Sequence, residues 1–417
     1  MNLYRLELKR VCKTRMTAIL LAIALVLAVV MAYLPVTFIG WTELDASGNE
    51  VRYTGLKAIR KRQEQQVSGT ITPDVMQEAL EAYQRVYRQY DANSINDIPV
   101  EVFYKELARY QPLVNNAKEA FADPKTGMAP GVMGLTTEDM QNFYSQLPKR
   151  LESVIWLEQS GKPGYEQAQT IAQKKFDAVQ KPFTYSFGVS SDAMDYQTLL
   201  SLLLTLLCAV IAAPVFASDA QTGAQDIQLC TKNGGLRLAA AKLAAAFSIT
   251  GAAYLLCGVV WILVTNALFG WESTQTSVQW LFSVTSLLPY TVGQMEWVML
   301  VANFLIFFAE VAFVLMASVW AKNNLTALSV ALISVVAPLI VYMVVPGSFG
   351  EWLSTLLPAG GIGLSNALLY KMISFDFLYA GGHAFFQADV LLASAPIKIV
   401  LLVGLAAWGY LRKTKVA

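Results

Sequence analysis

The stretch that decides the fold is "FASDAQTGAQDIQLCTKNGGLRLAAAKLAA", residues 216–245, a polar connector between two strongly apolar segments. It follows "TLLSLLLTLLCAVIAAPV" (198–215) and precedes "AFSITGAAYLLCGVVWILVTNALF" (246–269). A helix that crosses a membrane needs about 20 mostly apolar residues, and both neighbours come close to that length. A simple turn between two such helices would be shorter, so the polar residues of the connector need a role of their own.

Composition divides the chain into two parts. Its 417 residues are 55% hydrophobic and only 15% charged, whereas soluble domains are about 25% charged. The charges concentrate in residues 41–195, where 17 Lys and Arg and 21 Asp and Glu restore an ordinary soluble composition. The net charge of +1 gives no reason to expect nucleic-acid binding. We therefore predict a protein embedded in a lipid bilayer, with one soluble insert.

Six stretches have the length and apolarity of a membrane-spanning helix. They are residues 17–39, 196–215, 239–268, 295–319, 325–345 and 396–411. The first is longer than the core of a secretory signal, which has about 7–15 apolar residues, so we interpret it as an uncleaved span.

Basic residues predict the orientation, because cytosolic loops carry an excess of Lys and Arg. With a cytosolic N-terminus, six crossings place twelve flanking basic residues inside and leave only Lys371 and Lys398 in the short outer loops. Both termini are then cytosolic. The remaining segments become a cytosolic N-terminal segment (1–16), an extracellular domain (40–195), a cytosolic connector (216–238), two extracellular loops (269–294 and 346–395) and a cytosolic tail (412–417).

The N-terminal segment has an imperfect amphipathic pattern. Leu3, Leu8 and Val11 fall on one helical face, but Glu7 and Arg10 interrupt the separation of apolar from basic residues. Two interpretations are open: a helix lying in the membrane interface, or basic residues that serve only to orient the first span.

The extracellular domain is predicted to be a bundle of about four helices. Thr72 as N-cap and Pro73 in the first turn open a helix with apolar residues at three- and four-residue spacing. The pattern recurs over 99–121, a third helix opens at Thr137 and kinks at Pro148, and residues 165–179 form a fourth. Tyrosines at helical spacing, such as Tyr83, are interpreted as core residues and not as a binding face. The fold class is thus an all-α membrane protein with six transmembrane helices and a helical extracellular domain.

Two of the loops outside the membrane are too apolar to be plain turns. "VQWLFSVTSLLPY" (278–290) is too short to cross, and residues 350–386 mix short apolar runs with glycine and proline. Irregular backbone at membrane depth must be shielded by protein or water. We expect interfacial or re-entrant segments at both places.

The motifs of a self-contained enzyme are missing from the sequence. It has no GxxxxGK[ST] phosphate loop and no HExxH, its one histidine is His383, and "GGIGLSN" (360–366) lacks the preceding strand of a dinucleotide site. Cys12, Cys208, Cys230 and Cys257 lie outside the insert and form no CxxC pair, so we expect free thiols and no metal site. The chain is expected to be no enzyme and to hold no cofactor.

One acid lies well inside a predicted span. A charge at Glu310 costs about 2.5–3.5 kcal/mol on insertion scales, and such residues usually face a cavity or a partner. Glu310 is either part of a translocation path or a carboxyl that holds helices together. Thr198, Ser201 and Thr205 on the second span are candidates for the same path, with close helix packing as the alternative.

The connector resembles the corresponding loop of the ABC-2 type permeases, the membrane subunits of one group of ABC transporters. In that family an acid, a Gly-Thr-like pair, a leucine–threonine stretch, an arginine turn and a lysine follow one another between the second and third spans. The matching residues here are Asp219, Gly223, Leu229, Thr231, Arg237 and Lys242, with Ala224 in place of threonine and Cys230 interrupting the leucine–threonine run.

The resemblance implies a function for the connector. In that family this loop is a coupling helix that sits in a groove of a separate ATPase subunit. We expect such a helix to begin near Ser218 or Asp219, with the acid at its positive end, and to stop at the turn 233–235. The chain would then be the permease subunit of a bacterial ABC exporter in the cell membrane.

The implied assembly contains two permease subunits, identical or related, and two ATPase subunits that bind ATP and Mg²⁺. The exporter would move a peptide, antibiotic, lipid-like or ionic substrate by alternating access. Two alternatives stay open. One is a non-transporting receptor or cell-surface secretion-assembly component whose extracellular domain binds a partner. The other is a secondary transporter driven by ions through Glu310.

Overall fold

A computed structural model describes residues 3–45 and 49–414 of the chain. Within them, six helices are long and apolar enough to cross a membrane, and we name them spans 1 to 6. Their bounds are Arg15–Phe38, Ser191–Ala212, Leu236–Phe269, Val292–Trp320, Asn324–Val344 and Gln387–Thr414. The prediction of a largely helical protein with six such segments is confirmed. Span 6 begins nine residues before its predicted start because Pro396 lies inside the helix and does not open it.

Side-chain caps define several span ends. Ser190 accepts a hydrogen bond from the amide of Ala193 at the start of span 2, and Asn323 does the same for Thr326 at the start of span 5. Thr291 and Gln294 form a reciprocal capping box at the start of span 4. These caps satisfy backbone donors that the first helical turn leaves free.

Glycines allow spans 3 and 4 to pack closely. A Cβ atom added at Gly258 would lie 2.2 Å from Leu300 Cδ1, and one at Gly251 would lie 2.8 Å from the Phe308 ring. Small residues bring helices together in the same way in membranes generally. In contrast, spans 5 and 6 expose apolar side chains such as Ile333, Val344 and Val400, as a surface in contact with lipid requires.

The insert, residues 40–190 between spans 1 and 2, is helical but more divided than predicted. Its helices are Leu56–Gln65, Pro73–Gln89, Val100–Val102, Gln111–Ala120, Thr137–Gln141, Phe143–Gln159 and Tyr165–Asp177. Thr72 caps its helix through the amide of Val75, as expected. The segment predicted as a helix over 99–121 is helical from Val100 to Ala120, but a π-helical turn (Phe103–Leu107) and a 3-10 turn (Ala108–Tyr110) interrupt its α-helical geometry. Five tyrosines at helical spacing were assigned to the core. Tyr83, Tyr87 and Tyr110 are buried as predicted, whereas Tyr104 is half-buried and Tyr90 is exposed.

Short strands supplement the helices. The strands Gly40–Leu44 and Glu50–Thr54 form an antiparallel hairpin at the entry to the insert, and Gly69–Thr70 pairs with Thr184–Tyr185 near its exit. A second hairpin joins Phe377–Ala380 to His383–Phe386 between spans 5 and 6. None of these strands was predicted, because each is too short for an alternating pattern to stand out.

The insert covers both loops for which interfacial or re-entrant segments were expected. Trp280, in the short helix Val278–Leu281, stacks on Phe143 of the insert with 6.4 Å between ring centroids. Between spans 5 and 6 lie the helices Gly347–Leu356 and Leu368–Ile373. Gln159 of the insert donates to the Phe375 carbonyl at 2.6 Å. Both loops therefore contact the insert, and the expectation of interfacial or re-entrant segments stays a prediction.

Candidate functional site

The connector begins as a continuation of span 2. The helix Pro214–Thr222 follows Ala212 directly, although Pro214 lacks the amide that would continue the backbone hydrogen bonds. Ser318 of span 4 compensates: its hydroxyl donates to the Ala213 carbonyl at 2.6 Å and accepts from the amides of Phe216 and Ala217, each at 3.1 Å. The prediction of a helix starting near Ser218 or Asp219 was wrong, because the helix begins at Pro214 and Asp219 lies near its end.

Two turns complete the connector. Gly223 ends the first helix with a left-handed backbone, φ +71°, which glycine adopts without strain. A second helix, Ala224–Leu229, follows at once, and a turn through Asn233 and Gly234 leads to span 3 at Leu236. The expected turn at 233–235 is present, but the single predicted helix is two short helices.

Four ionic groups meet behind the connector; we call Glu7, Arg10, Asp219 and Lys242 the ion cluster. Arg10 donates from Nη1 to both oxygens of Asp219, at 2.9 and 3.0 Å, and pairs with Glu7 at 3.0 Å. Lys242 of span 3 is fully buried and donates to Asp219. The ion cluster therefore ties the N-terminal helix, Leu3–Cys12, to the connector and to span 3.

Further hydrogen bonds hold the connector in place. Lys242 also donates to the side-chain oxygen of Gln228 at 3.2 Å, which attaches the second connector helix to span 3. Arg10 donates to the Val215 carbonyl at 3.0 Å. Glu7 and Arg10 interrupt the amphipathic pattern of the N-terminal segment, and they are the residues through which this segment joins the ion cluster. Arg5 and Lys9 of the same segment are exposed.

The other predicted connector residues lie away from the ion cluster. Thr231 is exposed and donates to the Gln228 carbonyl at 2.7 Å, while Arg237 is exposed and donates to Asn233 at 3.3 Å. Leu229 is half-buried. The outward face of the second helix carries Asp226 and Ile227, and Ile227 is 74% exposed.

A cavity of about 380 Å³ lies beside the ion cluster. The N-terminal helix and span 1 form one wall, through Arg10 and Thr17, and span 2 with the first connector helix forms the other, through Val210 and Asp219. The carboxylate and guanidinium groups reach this cavity, so the ion cluster is not sealed from its surroundings.

The candidate path residues lie at separate helix contacts. Glu310 of span 4 is fully buried and accepts a hydrogen bond from Ser334 of span 5. Ser201 meets Tyr254 of span 3, and Thr205 donates to the Ser201 carbonyl at 2.7 Å. Thr198 is buried, and its hydroxyl has no hydrogen-bond partner among the described residues. Of the candidate path residues, Glu310 is hydrogen-bonded across the interface of spans 4 and 5, and Ser201 across the interface of spans 2 and 3.

Sequence reasoning missed a second buried acid in span 4. Glu296 is 0% exposed; it lies one residue inside the predicted span 295–319, which made it look like a residue of the membrane surface. The helix begins earlier, at Val292. Glu296, Asn303 and Glu310 are spaced by seven residues, so they share one face of the helix. That spacing was the signal that could have found Glu296.

A second cavity, of about 460 Å³, separates the insert from the ends of the spans. Arg62 and Tyr185 of the insert line it. Burial lowers the pKa of Arg62, whose guanidinium lies 4.2 Å from the centre of the Phe187 ring. Burial also raises the pKa of Tyr185 to about 12, and its hydroxyl donates to Gln66 at 2.9 Å. Both groups keep their usual charge at neutral pH.

Comparisons with profiles of known protein families, with curated proteins and with solved structures find no match to this chain.

Proposed function

We propose that this chain is the permease subunit of an ABC exporter in a bacterial cell membrane, with the connector as the docking element for a separate ATPase subunit. The observation that carries the proposal is the construction of the connector. Two short helices are held from behind by the ion cluster and by Ser318, while their outward face presents Asp226 and Ile227. An isolated apolar side chain at the tip of a rigid, otherwise polar loop suits insertion into a groove of a partner.

The anchoring gives the connector a mechanical role. Asp219 and Lys242 join the connector to span 3, and Ser318 joins it to span 4, so a displacement of the connector would act on three spans together. A partner that closes on ATP binding could in this way change the arrangement of the spans, with substrate crossing between two permease subunits by alternating access. ATP and Mg²⁺ would bind to the ATPase, and this chain would carry out no covalent chemistry.

Under this proposal the six predicted coupling residues have different roles. Asp219 and Lys242 would position the connector, because both are buried. Thr231, Arg237 and the exposed Gly223 would lie on or beside the docking face, and Leu229 would support the second helix. Gln225 is 7% exposed, so a crosslinker intended for the partner belongs at Ile227 instead.

Site-specific photocrosslinking in the native host tests this proposal. A benzophenone amino acid at Ile227 should crosslink to a protein that mass spectrometry identifies as an ATPase with a GxxxxGK[ST] motif. The matched control is Met128 of the insert, which is 73% exposed, against 74% for Ile227; it should not crosslink to that ATPase. Crosslinks from Ile227 to lipid alone, or to a protein without the motif, would reject the docking role.

If the chain is a receptor or a secretion-assembly component, the two crosslinking positions should give the opposite result. A receptor or secretion-assembly component would give protein crosslinks from the insert and none to an ATPase from Ile227.

A further inference from the structure

Three polar side chains meet in the bundle near the end that carries the insert. Glu296 of span 4, Asn266 of span 3 and Gln197 of span 2 are 0%, 1% and 6% exposed. Asn266 donates from its amide nitrogen to one carboxylate oxygen of Glu296 at 2.6 Å, and Gln197 donates to the Glu296 carbonyl at 2.9 Å. These hydrogen bonds connect spans 3 and 2 to span 4 at Glu296, the first through its carboxylate and the second through its backbone carbonyl.

Each of these side chains has an oxygen with nothing to bind. The second carboxylate oxygen of Glu296 and the amide oxygens of Asn266 and Gln197 are buried and have no hydrogen-bond partner in the part of the chain that the structure describes. The amide orientation follows from chemistry: the nitrogen of Asn266 faces two acceptors, the Glu296 carboxylate and the Ile262 carbonyl. The hydroxyls of Thr198 and Thr265, next in the chain to Gln197 and Asn266, are also unpartnered.

The charge of Glu296 is not balanced by the protein. None of the ion pairs found among residues 3–45 and 49–414 includes it. A buried carboxylate without a counter-charge costs several kcal/mol, and each unmet acceptor adds about 1–3 kcal/mol. A single proton on the carboxyl could serve only one of the three acceptors, whereas a bound cation takes several oxygen ligands at once.

We propose that Glu296, Asn266 and Gln197 bind a monovalent alkali-metal cation. Hard cations take oxygen ligands, and carboxylate and amide oxygens are the groups present here. A single acid sets the charge: a monovalent ion gives a neutral site, whereas a divalent ion would leave a positive charge among apolar side chains. This inference is independent of the proposed ATPase partner, because it concerns the opposite end of the bundle.

The structure provides room beside the site. A cavity of about 10 Å³ lies next to Gln197 and is also lined by Ser201, Tyr254 and Asn303, which is about the space that one water molecule occupies. Asn303 lies seven residues from Glu296, two turns along the same face of span 4. Of the three proposed ligands, Gln197 lines this cavity, and Asn303 lies about 10 Å from Glu296 along span 4.

Thermal unfolding of the purified full chain in detergent tests the site. A cation that binds only the folded protein raises the melting temperature in proportion to the logarithm of its concentration once the site is nearly saturated. We expect this rise on titration with NaCl or KCl in place of choline chloride at constant chloride. Glu296→Gln keeps the shape of the side chain and should abolish the response. Glu310→Gln, at a separate helix contact, should keep it.

Two further measurements make the result decisive. In choline chloride, Glu296→Gln should be more stable than the wild type, because it removes an unbalanced buried charge. Gln197→Met, which removes one ligand, should shift the response to a cation concentration at least about tenfold higher, equivalent to 1.4 kcal/mol. Equal melting temperatures in alkali and choline salts, or a response that survives Glu296→Gln, would overturn the proposal. The first result would indicate a protonated carboxyl or bound water at this place.

Discussion

Lys242 has the most demanding environment among the residues of the connector site. Its side chain is 0% exposed, against 10% for its partner Asp219 and 36% for Arg10. An ammonium group removed from water needs its counter-charge, since breaking a buried pair leaves an uncompensated charge. The contribution of each ionic residue to stability should therefore depend on which partner its replacement leaves alone.

We predict that Asp219→Asn lowers the stability of the protein by about 3–5 kcal/mol, because Lys242 then stays buried without a counter-charge. Arg10→Gln should cost less, since Lys242 still neutralises Asp219. The double variant Asp219→Asn with Lys242→Met should recover part of the loss, because it removes both charges of the pair. Thermal unfolding followed by tryptophan fluorescence compares the variants. A double variant no more stable than Asp219→Asn would contradict this account.

At the level of helices and strands, the sequence predicted what depends on local composition. The spans were located to within a few residues at most ends, because length and apolarity alone decide whether a helix can cross a membrane. The start of the connector helix was predicted wrongly because the helix Pro214–Thr222 is held by Ser318, a residue distant in sequence. The short hairpins were missed because pairing between strands, and not their own pattern, stabilises them.

The same distinction applies to the candidate site. Asp219 and Lys242 were identified by their places in the connector, but their partner Arg10 lies 209 positions from Asp219. Local pattern made Arg10 look like an interruption of an amphipathic helix. Only the fold brings together Arg10, Asp219 and Lys242, or Glu296, Asn266 and Gln197. Residues of opposite charge at distant positions therefore escape sequence reasoning even when each is noticed.

The turn of the connector should depend on Gly234. A Cβ atom at this position would lie 1.7 Å from the Gln228 carbonyl oxygen, so Gly234→Ala must displace backbone. We predict faster hydrogen exchange over residues 224–235 in this variant, measured by mass spectrometry. Gly131→Ala is the control, because its added methyl group meets nothing within 4 Å. If hydrogen exchange in the connector is unchanged in Gly234→Ala, the turn at Gly234 does not hold the connector in place.

In the whole molecule, spans 2 and 4 are joined near both ends. Gln197 bonds to the Glu296 carbonyl near the insert, and Ser318 bonds to the Ala213 carbonyl near the connector. Two such contacts resist both sliding and rotation of one helix against the other. Spans 2 and 4 should therefore move as a pair, which would carry a displacement of the connector to the end that bears the insert.

The cysteines test the predicted orientation of the whole molecule. Cys12 and Cys230 are exposed at the end opposite the insert, and Cys208 and Cys257 are buried. We predict that a membrane-impermeant maleimide labels Cys12 and Cys230 in inside-out vesicles but not in intact cells. Met128→Cys, in a variant with Cys12→Ser and Cys230→Ser, should show the reverse, because Met128 lies in the exposed part of the insert. Labelling of Cys230 from outside intact cells would show that the orientation is the opposite of the predicted one. The connector would then lie outside the cell, where no cytosolic ATPase could reach it.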